Sequence, residues 1–202
     1  MKQITFKQYR SIDLSILCVM TAVFEYIVCL ATNEWATLQA MAISITLTMT
    51  CITAFRWSYF AVFPALVGSV SYVIAYGADI KQIVYFCGGS LFCILTIPLL
   101  EKLGKESVRA DFIKRSFFAT IVYVAIALGR WLISLVFNFS VQSLILLLTT
   151  DVLSLLFAIL VLTIVKNLDG ILEDQKAYLL RLDRERRETE EANLSDPFND
   201  PY

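Results

Sequence analysis

Six apolar stretches, each ended by charged or polar residues, limit the folds open to this chain more than any other feature. They cover residues 13–32, 37–55, 57–77, 82–100, 116–138 and 141–168. Crossing the hydrocarbon core of a bilayer takes about 20 apolar residues of helix, and inside lipid the backbone must satisfy its own polar groups, which segments of this length do as helices. The expected fold is an all-α integral membrane protein, a six-transmembrane-helix bundle. Only 17% of the residues are charged, against about a quarter in a soluble domain, so no water-facing shell is available for a globular alternative. The least distinct boundary is the second, where Arg56 and Trp57 alone interrupt the apolar run. One bent helix is the alternative there, but about 40 apolar residues are too many for one crossing.

Lysine and arginine near the ends of the stretches set the expected orientation. Lys2, Lys7, Arg10, Arg56, Lys102, Lys105, Arg109, Lys114, Arg115 and Lys166 fall on one side, and Lys81 alone falls on the other. Both termini are therefore expected in the cytoplasm. Lys2, Lys7 and Arg10 precede a full-length apolar segment with no small-residue cleavage site after it, so the first helix is expected to stay in the membrane. After Asp169-Gly170 the character changes: "ILEDQKAYLLRLDRERRETEE" keeps a few apolar residues at helical spacing within dense mixed charge. Two regions follow, a six-helix transmembrane domain over 1–169 and a charged cytoplasmic tail over 170–202, helical at first and then, in "NLSDPFNDPY", disordered.

Several function classes are disfavoured by what the chain lacks. A net charge of −1 without a basic patch argues against a nucleic-acid partner. There is no histidine, which removes the commonest general base and metal ligand. The cysteines Cys18, Cys29, Cys51, Cys87 and Cys93 all lie in apolar runs without CxxC spacing, as small buried hydrophobes do. No metal, cofactor or catalytic residue is expected, and an enzyme is the least favoured class.

Three ionisable residues lie inside apolar stretches: Glu25 in the first, Arg130 in the fifth and Asp151 in the sixth. A guanidinium at the centre of a membrane helix costs about 2.5–3.5 kcal/mol on insertion scales, so something must compensate Arg130. At 1.5 Å per residue, Arg130, Asp151 and Glu25 fall about 12, 15 and 10 Å inside the outer ends of their helices. The fifth and sixth helices are joined by a very short turn, so they are expected to be antiparallel neighbours, with Arg130 and Asp151 in contact. An interhelical ion pair that only fixes packing is one reading. The other is an outward-facing cavity for a polar small molecule, because one arginine does not neutralise two carboxylates. Trp35, Tyr72, Tyr76, Tyr85 and Trp131 lie near this level; such aromatics also collect at any membrane interface, and Trp35 and Tyr85 are the strongest candidates for stacking on a ligand. Small residues at i, i+4 spacing, Cys18 with Ala22 and Ala61 with Ala65 and Ser69, allow close helix approach, whether to a partner or within the bundle.

The six stretches with short outer loops, together with "YRSIDLSIL…FEYIVCLA" and "FRWSYFAVFPALVGSVSYV", resemble the S components of energy-coupling factor (ECF) transporters, in a subgroup of unassigned substrate. The resemblance covers roughly residues 10–168. It implies a prokaryotic cell-membrane protein, surrounded by membrane lipid, that captures a vitamin-like micronutrient from outside. It also implies a transmembrane coupling subunit and two ATPase subunits as partners, and this chain has no P-loop of its own. It implies that the first outer loop, with Glu34 and Trp35, acts as a lid over the substrate, which the residues themselves place at Glu25, Arg130, Asp151 and Tyr85. The family's small-residue docking motif on the first helix is represented by Cys18-xxx-Ala22, with Ala61 and Ala65 as further interface candidates. The alternatives are a membrane scaffold or regulatory protein acting through the tail, and a stand-alone transporter.

Overall fold

A computed structural model describes residues 6–34, 43–77, 79–137, 148–168 and 170–195, and every regular element among them is helical. The elements are α1 (Phe6–Glu34), α2 (Thr46–Trp57), a 3-10 turn (Ser58–Ala61), α3 (Val62–Ala75), α4 (Ile80–Ser90), a second 3-10 segment (Leu91–Thr96), α5 (Ile97–Leu103), α6 (Lys105–Ala110), α7 (Phe112–Val136), α8 (Val152–Val165) and α9 (Gln175–Ser195). Four helical stretches, Phe6–Thr32, Thr46–Ala75, Ile80–Leu103 and Phe112–Val136, are long and apolar enough to cross a membrane, and Val152–Val165 is a shorter apolar helix. These place the chain among membrane proteins.

The stretch Thr46–Ala75 does not run straight. Ser58 adopts φ 50°, a left-handed value that breaks the helix, and α3 then folds back along α2 until a side chain at Gly68 would collide with the Thr46 hydroxyl at 2.0 Å. Neither a single bent helix nor a break at Arg56-Trp57 describes it: the chain reverses just beyond Trp57. The arms span about 18 and 21 Å.

Pairwise contacts fix the directions of the remaining segments. At one end of the bundle Arg10 lies 4.4 Å over the Phe60 ring, and at the other the Thr32 and Tyr76 hydroxyls are 3.4 Å apart, so α3 runs parallel to α1. Ser69 and Ser90 hydroxyls meet at 2.5 Å, and Tyr72 packs on Phe86, which sets α4 antiparallel to α3. The chain then returns through α7 and descends again through α8. Phe55 and Phe118, both fully buried, meet edge to face at 5.4 Å in the core, with Ile97, Leu100, Ala158 and Leu162 around them. Large apolar side chains remain outside, among them Ile12, Ile16, Val19, Val23 and Ile27 along α1, a stripe that fits a lipid-facing surface.

The end nearer the tail is closed by polar contacts. Arg56 grips Asp13 through Nε (3.0 Å) and Nη2 (2.6 Å), Trp57 Nε1 donates to the same carboxylate at 2.6 Å, and Arg56 Nη1 reaches the Gly170 carbonyl at 2.9 Å. Gly170, at φ 79°, turns its carbonyl to accept from buried Gln175 as well, and Tyr9 donates to Gln175 from α1. Lys105 and Arg109 of α6 pair with Asp174 and Glu173. The root of α9 is thus tied to three helices, while its charged remainder extends beyond.

Candidate functional site

Arg130 reaches its position because two glycines let α4 and α7 touch. A Cβ at Gly129 would lie 2.8 Å from the Gly89 carbonyl oxygen, and one at Gly89 would lie 2.9 Å from the Arg130 nitrogen and 2.3 Å from its Cγ. The arginine stem therefore crosses directly over Gly89. Its guanidinium sits 5.0 Å from the Phe86 ring centre, a cation–π arrangement, and Nη1 donates to Asp151 Oδ2 at 2.7 Å. Asp151 stands at the start of α8, where its carbonyl accepts from Ser154 and Leu155 and its carboxylate is not used as a helix cap. The expected contact between neighbouring antiparallel helices is present.

Glu25 does something different from what its depth suggested. It is fully buried, and Oε2 accepts from the backbone N–H groups of Ile45 at 2.7 Å and Thr46 at 2.9 Å. These are donors that the first turn of α2 cannot satisfy internally, so the carboxylate acts as a cap supplied by another helix and meets the positive end of the α2 dipole. Among the described residues no hydrogen bond or ion pair joins Glu25 to Arg130 or Asp151. The link is indirect: Ser44, beside the capped turn, donates its N–H to Ser154 Oγ on α8 at 2.8 Å.

Between these groups lies a small cavity of about 30 Å³, lined by Ser44, Thr46, Ser90, Tyr123, Arg130 and Asp151 on its polar side and by Leu47, Ile126 and Ala127 on its apolar side. That is room for a water or a group of similar size. The Arg130 Nε–H is buried and has no hydrogen-bond partner. The Thr46 hydroxyl, pressed against Gly68 and close to Glu25, makes no well-formed bond either. Tyr123 donates to the Leu148 carbonyl across the α7–α8 pair.

The remaining expected residues divide. Tyr85 is half-buried on α4 and packs against Phe86 at 5.0 Å, but it does not line the cavity. Glu34 ends α1, and Trp35 lies outside the described residues. Cys18 and Ala22 are half-buried on α1, whereas Ala61 and Ala65 are enclosed in the core at 1% and 0% exposure. Ser44, Thr46, Ser154 and Phe86 also belong to this region, although their hydroxyls and ring carry no signal of their own in an apolar chain. Asp13 and Arg56, two charges at the margins of apolar runs, are the kind that seek each other, and that is the signal by which the Asp13–Arg56–Trp57 contact is legible in the sequence. Among the described residues no group of three or more histidine, cysteine or acidic side chains could hold a metal ion. No family model matches the chain, and no curated protein or solved structure matches it.

Proposed function

We propose that the chain crosses the membrane six times with both termini in the cytoplasm, and that the Arg130–Asp151 cavity lies in the outer half and binds a small polar molecule. In this reading it is the substrate-binding subunit of an ECF-type importer, working with a coupling subunit and two ATPases in a prokaryotic cell membrane. The alternating directions of the six helical segments and the concentration of Lys and Arg on one side support the topology. One observation carries the binding role: the Arg130–Asp151 pair lines a small cavity, and the buried Arg130 Nε–H has no hydrogen-bond partner. An unmade hydrogen bond of this kind costs about 1–3 kcal/mol, so a purely structural ion pair is incompletely satisfied here.

The test is purification of the full chain in mild detergent, mass spectrometry of co-purifying small molecules, and titration followed by tryptophan fluorescence, with Trp131 next to the site. Saturable binding that Arg130→Ala and Asp151→Ala abolish in folded protein supports the reading. No ligand, with both substitutions altering stability alone, overturns it.

A second reading, a scaffold acting through its tail, draws on the anchoring of the α9 root to α1, α2 and α6. Truncation after Leu182 leaves that anchor intact. Loss of function in this truncation favours the scaffold, and retained uptake favours transport.

A further inference from the structure

At the tail end of the bundle, cations face acids: Arg56 holds Asp13, Lys105 holds Asp174, and Arg109 and Arg181 share Glu173. Arg10 is an exception. Its guanidinium lies 4.4 Å from the centre of the Phe60 ring, a cation–π contact that uses its charge and leaves its N–H donors without an oxygen. Among the described residues no hydrogen bond or ion pair engages it, and Asp13, one turn along α1, is spent on Arg56 and Trp57. Arg10 is only half-buried, and none of its nitrogens is cut off from the surface. Lys7, one turn before it on the same face of α1, is exposed.

Helix length sets the depth of these two cations. α1 has 29 residues, about 43 Å at the rise of a helix, which matches the roughly 40–45 Å of a hydrocarbon core with both head-group layers. Arg10 stands about 6 Å from the start of that helix, at the level of lipid head groups. Phe63, stacked on Phe60 at 6.1 Å, is 48% exposed, so the ring pair that holds the guanidinium also presents apolar surface. A phosphate carried on acyl chains uses both features, whereas a free anion uses only the charge. A zwitterionic head group brings a cation of its own toward Lys7 and Arg10, and an anionic one does not.

We propose that Arg10 and Lys7 bind the phosphate of an anionic phospholipid, with the Phe60–Phe63 pair against its glycerol and upper acyl chains. The site is separate from the Arg130–Asp151 cavity and does not depend on what that cavity binds. Lys7 and Arg10 belong to α1 and Phe60 to the 3-10 turn between α2 and α3, so an occupied site bridges these elements and stabilises the seam between them.

Dioleoylphosphatidylglycerol, dioleoylphosphatidylcholine and inorganic phosphate, added in turn to the full chain in mild detergent, test this, with native mass spectrometry reading retained lipid and thermal melting reading stabilisation. The expected result is retention of and stabilisation by phosphatidylglycerol, with phosphatidylcholine weaker by about fivefold or more, the scale of one basic residue meeting an anionic lipid. Inorganic phosphate at the same concentration should have no effect. Lys7→Gln and Arg10→Gln should each lower phosphatidylglycerol retention by about fivefold, and Lys102→Gln, which removes an exposed cation of α5, by less than about twofold, in variants shown to be folded by circular dichroism and size exclusion. If Arg10→Gln does not fold, Lys7→Gln, a change at an exposed position, decides the matter. Equal retention of the two lipids, retention unchanged in the folded Lys7 or Arg10 variant, a loss in Lys102→Gln as large as theirs, or stabilisation by inorganic phosphate equal to that by phosphatidylglycerol overturns the inference.

Discussion

Arg130 and Asp151 meet at 2.7 Å across the α7–α8 pair, and Arg130 Nη1 is the atom that makes the bond while Nε is left without a partner. The two side chains are 16% and 24% exposed, so the pair is desolvated only in part. Removing one partner should cost more than removing both. Arg130→Met or Asp151→Leu alone is expected to lower unfolding free energy by about 2–4 kcal/mol, toward the lower end of what buried pairs show, whereas the double variant recovers at least half of that loss. A double-mutant cycle in detergent, unfolded with SDS or heat, measures the coupling.

The Glu25 cap makes a separate prediction. Glu25→Ala removes the acceptor of the Ile45 N–H and leaves the Thr46 N–H with Ser44 Oγ alone, at 3.2 Å, and a loss of about 1–3 kcal/mol is expected. Glu25→Gln retains an oxygen and should lose less. If Glu25 acts on the cavity only by holding α2, ligand affinity in Glu25→Gln stays within about twofold of wild type, which titration of the folded variant would check.

The glycine crossing of α4 and α7 is testable by methyl groups. Gly129→Ala meets the Gly89 carbonyl oxygen at 2.8 Å and Gly89→Ala meets the Arg130 backbone at 2.9 Å, so each should destabilise by about 1–3 kcal/mol through overpacking. Gly88→Ala encounters chiefly the end of the Ile133 side chain at 2.5 Å, which can rotate away, and should be milder. Equal effects at Gly88 and Gly89 would contradict a backbone-limited crossing. Thermal melting of the three variants decides it.

At the tail end, Arg56 combines a two-point grip on Asp13 with a backbone carbonyl beside the α9 root. Lysine cannot reproduce that fork, so Arg56→Lys is expected to cost about 1.5–3 kcal/mol. Hydrogen exchange should rise in residues 170–176 before it rises near Arg130. A uniform rise across the bundle would mean that Arg56 supports the whole fold rather than the tail root.

Acid should loosen the same region. Burial pushes the Asp174 carboxyl up, but the hydrogen bond and charge of Lys105, with the N–H groups of Ala177 and Lys176, outweigh it and hold the group below its ordinary value. A depressed folded-state value means that the contribution is present above the unfolded value of about 3.9 and is lost as pH falls through the lower, folded one. Exchange protection at the start of α9 should therefore be stable from neutral pH down to about 4 and decline below it. Asp174→Asn should remove that decline; an unchanged acid profile in this variant would place the titrating group elsewhere.

Much of this protein was determined by sequence alone. The apolar stretches were visible because the rise of a helix converts residue count directly into length, and that one-dimensional rule also placed Arg130 and Asp151 at matching depth on adjacent helices. Depth, however, says nothing of which way a side chain points around its helix. Glu25 shares that depth yet turns to the start of α2, 20 residues away, and Asp13 finds Arg56 and Trp57 over 43 and 44 residues. Those choices were made by helix order and by close contacts such as Gly89 with Gly129 and Gly68 with Thr46, which set the rotation of each helix against its neighbours. Tertiary structure alone decided, for the same reason, that the three charges form an ion pair and a separate helix cap.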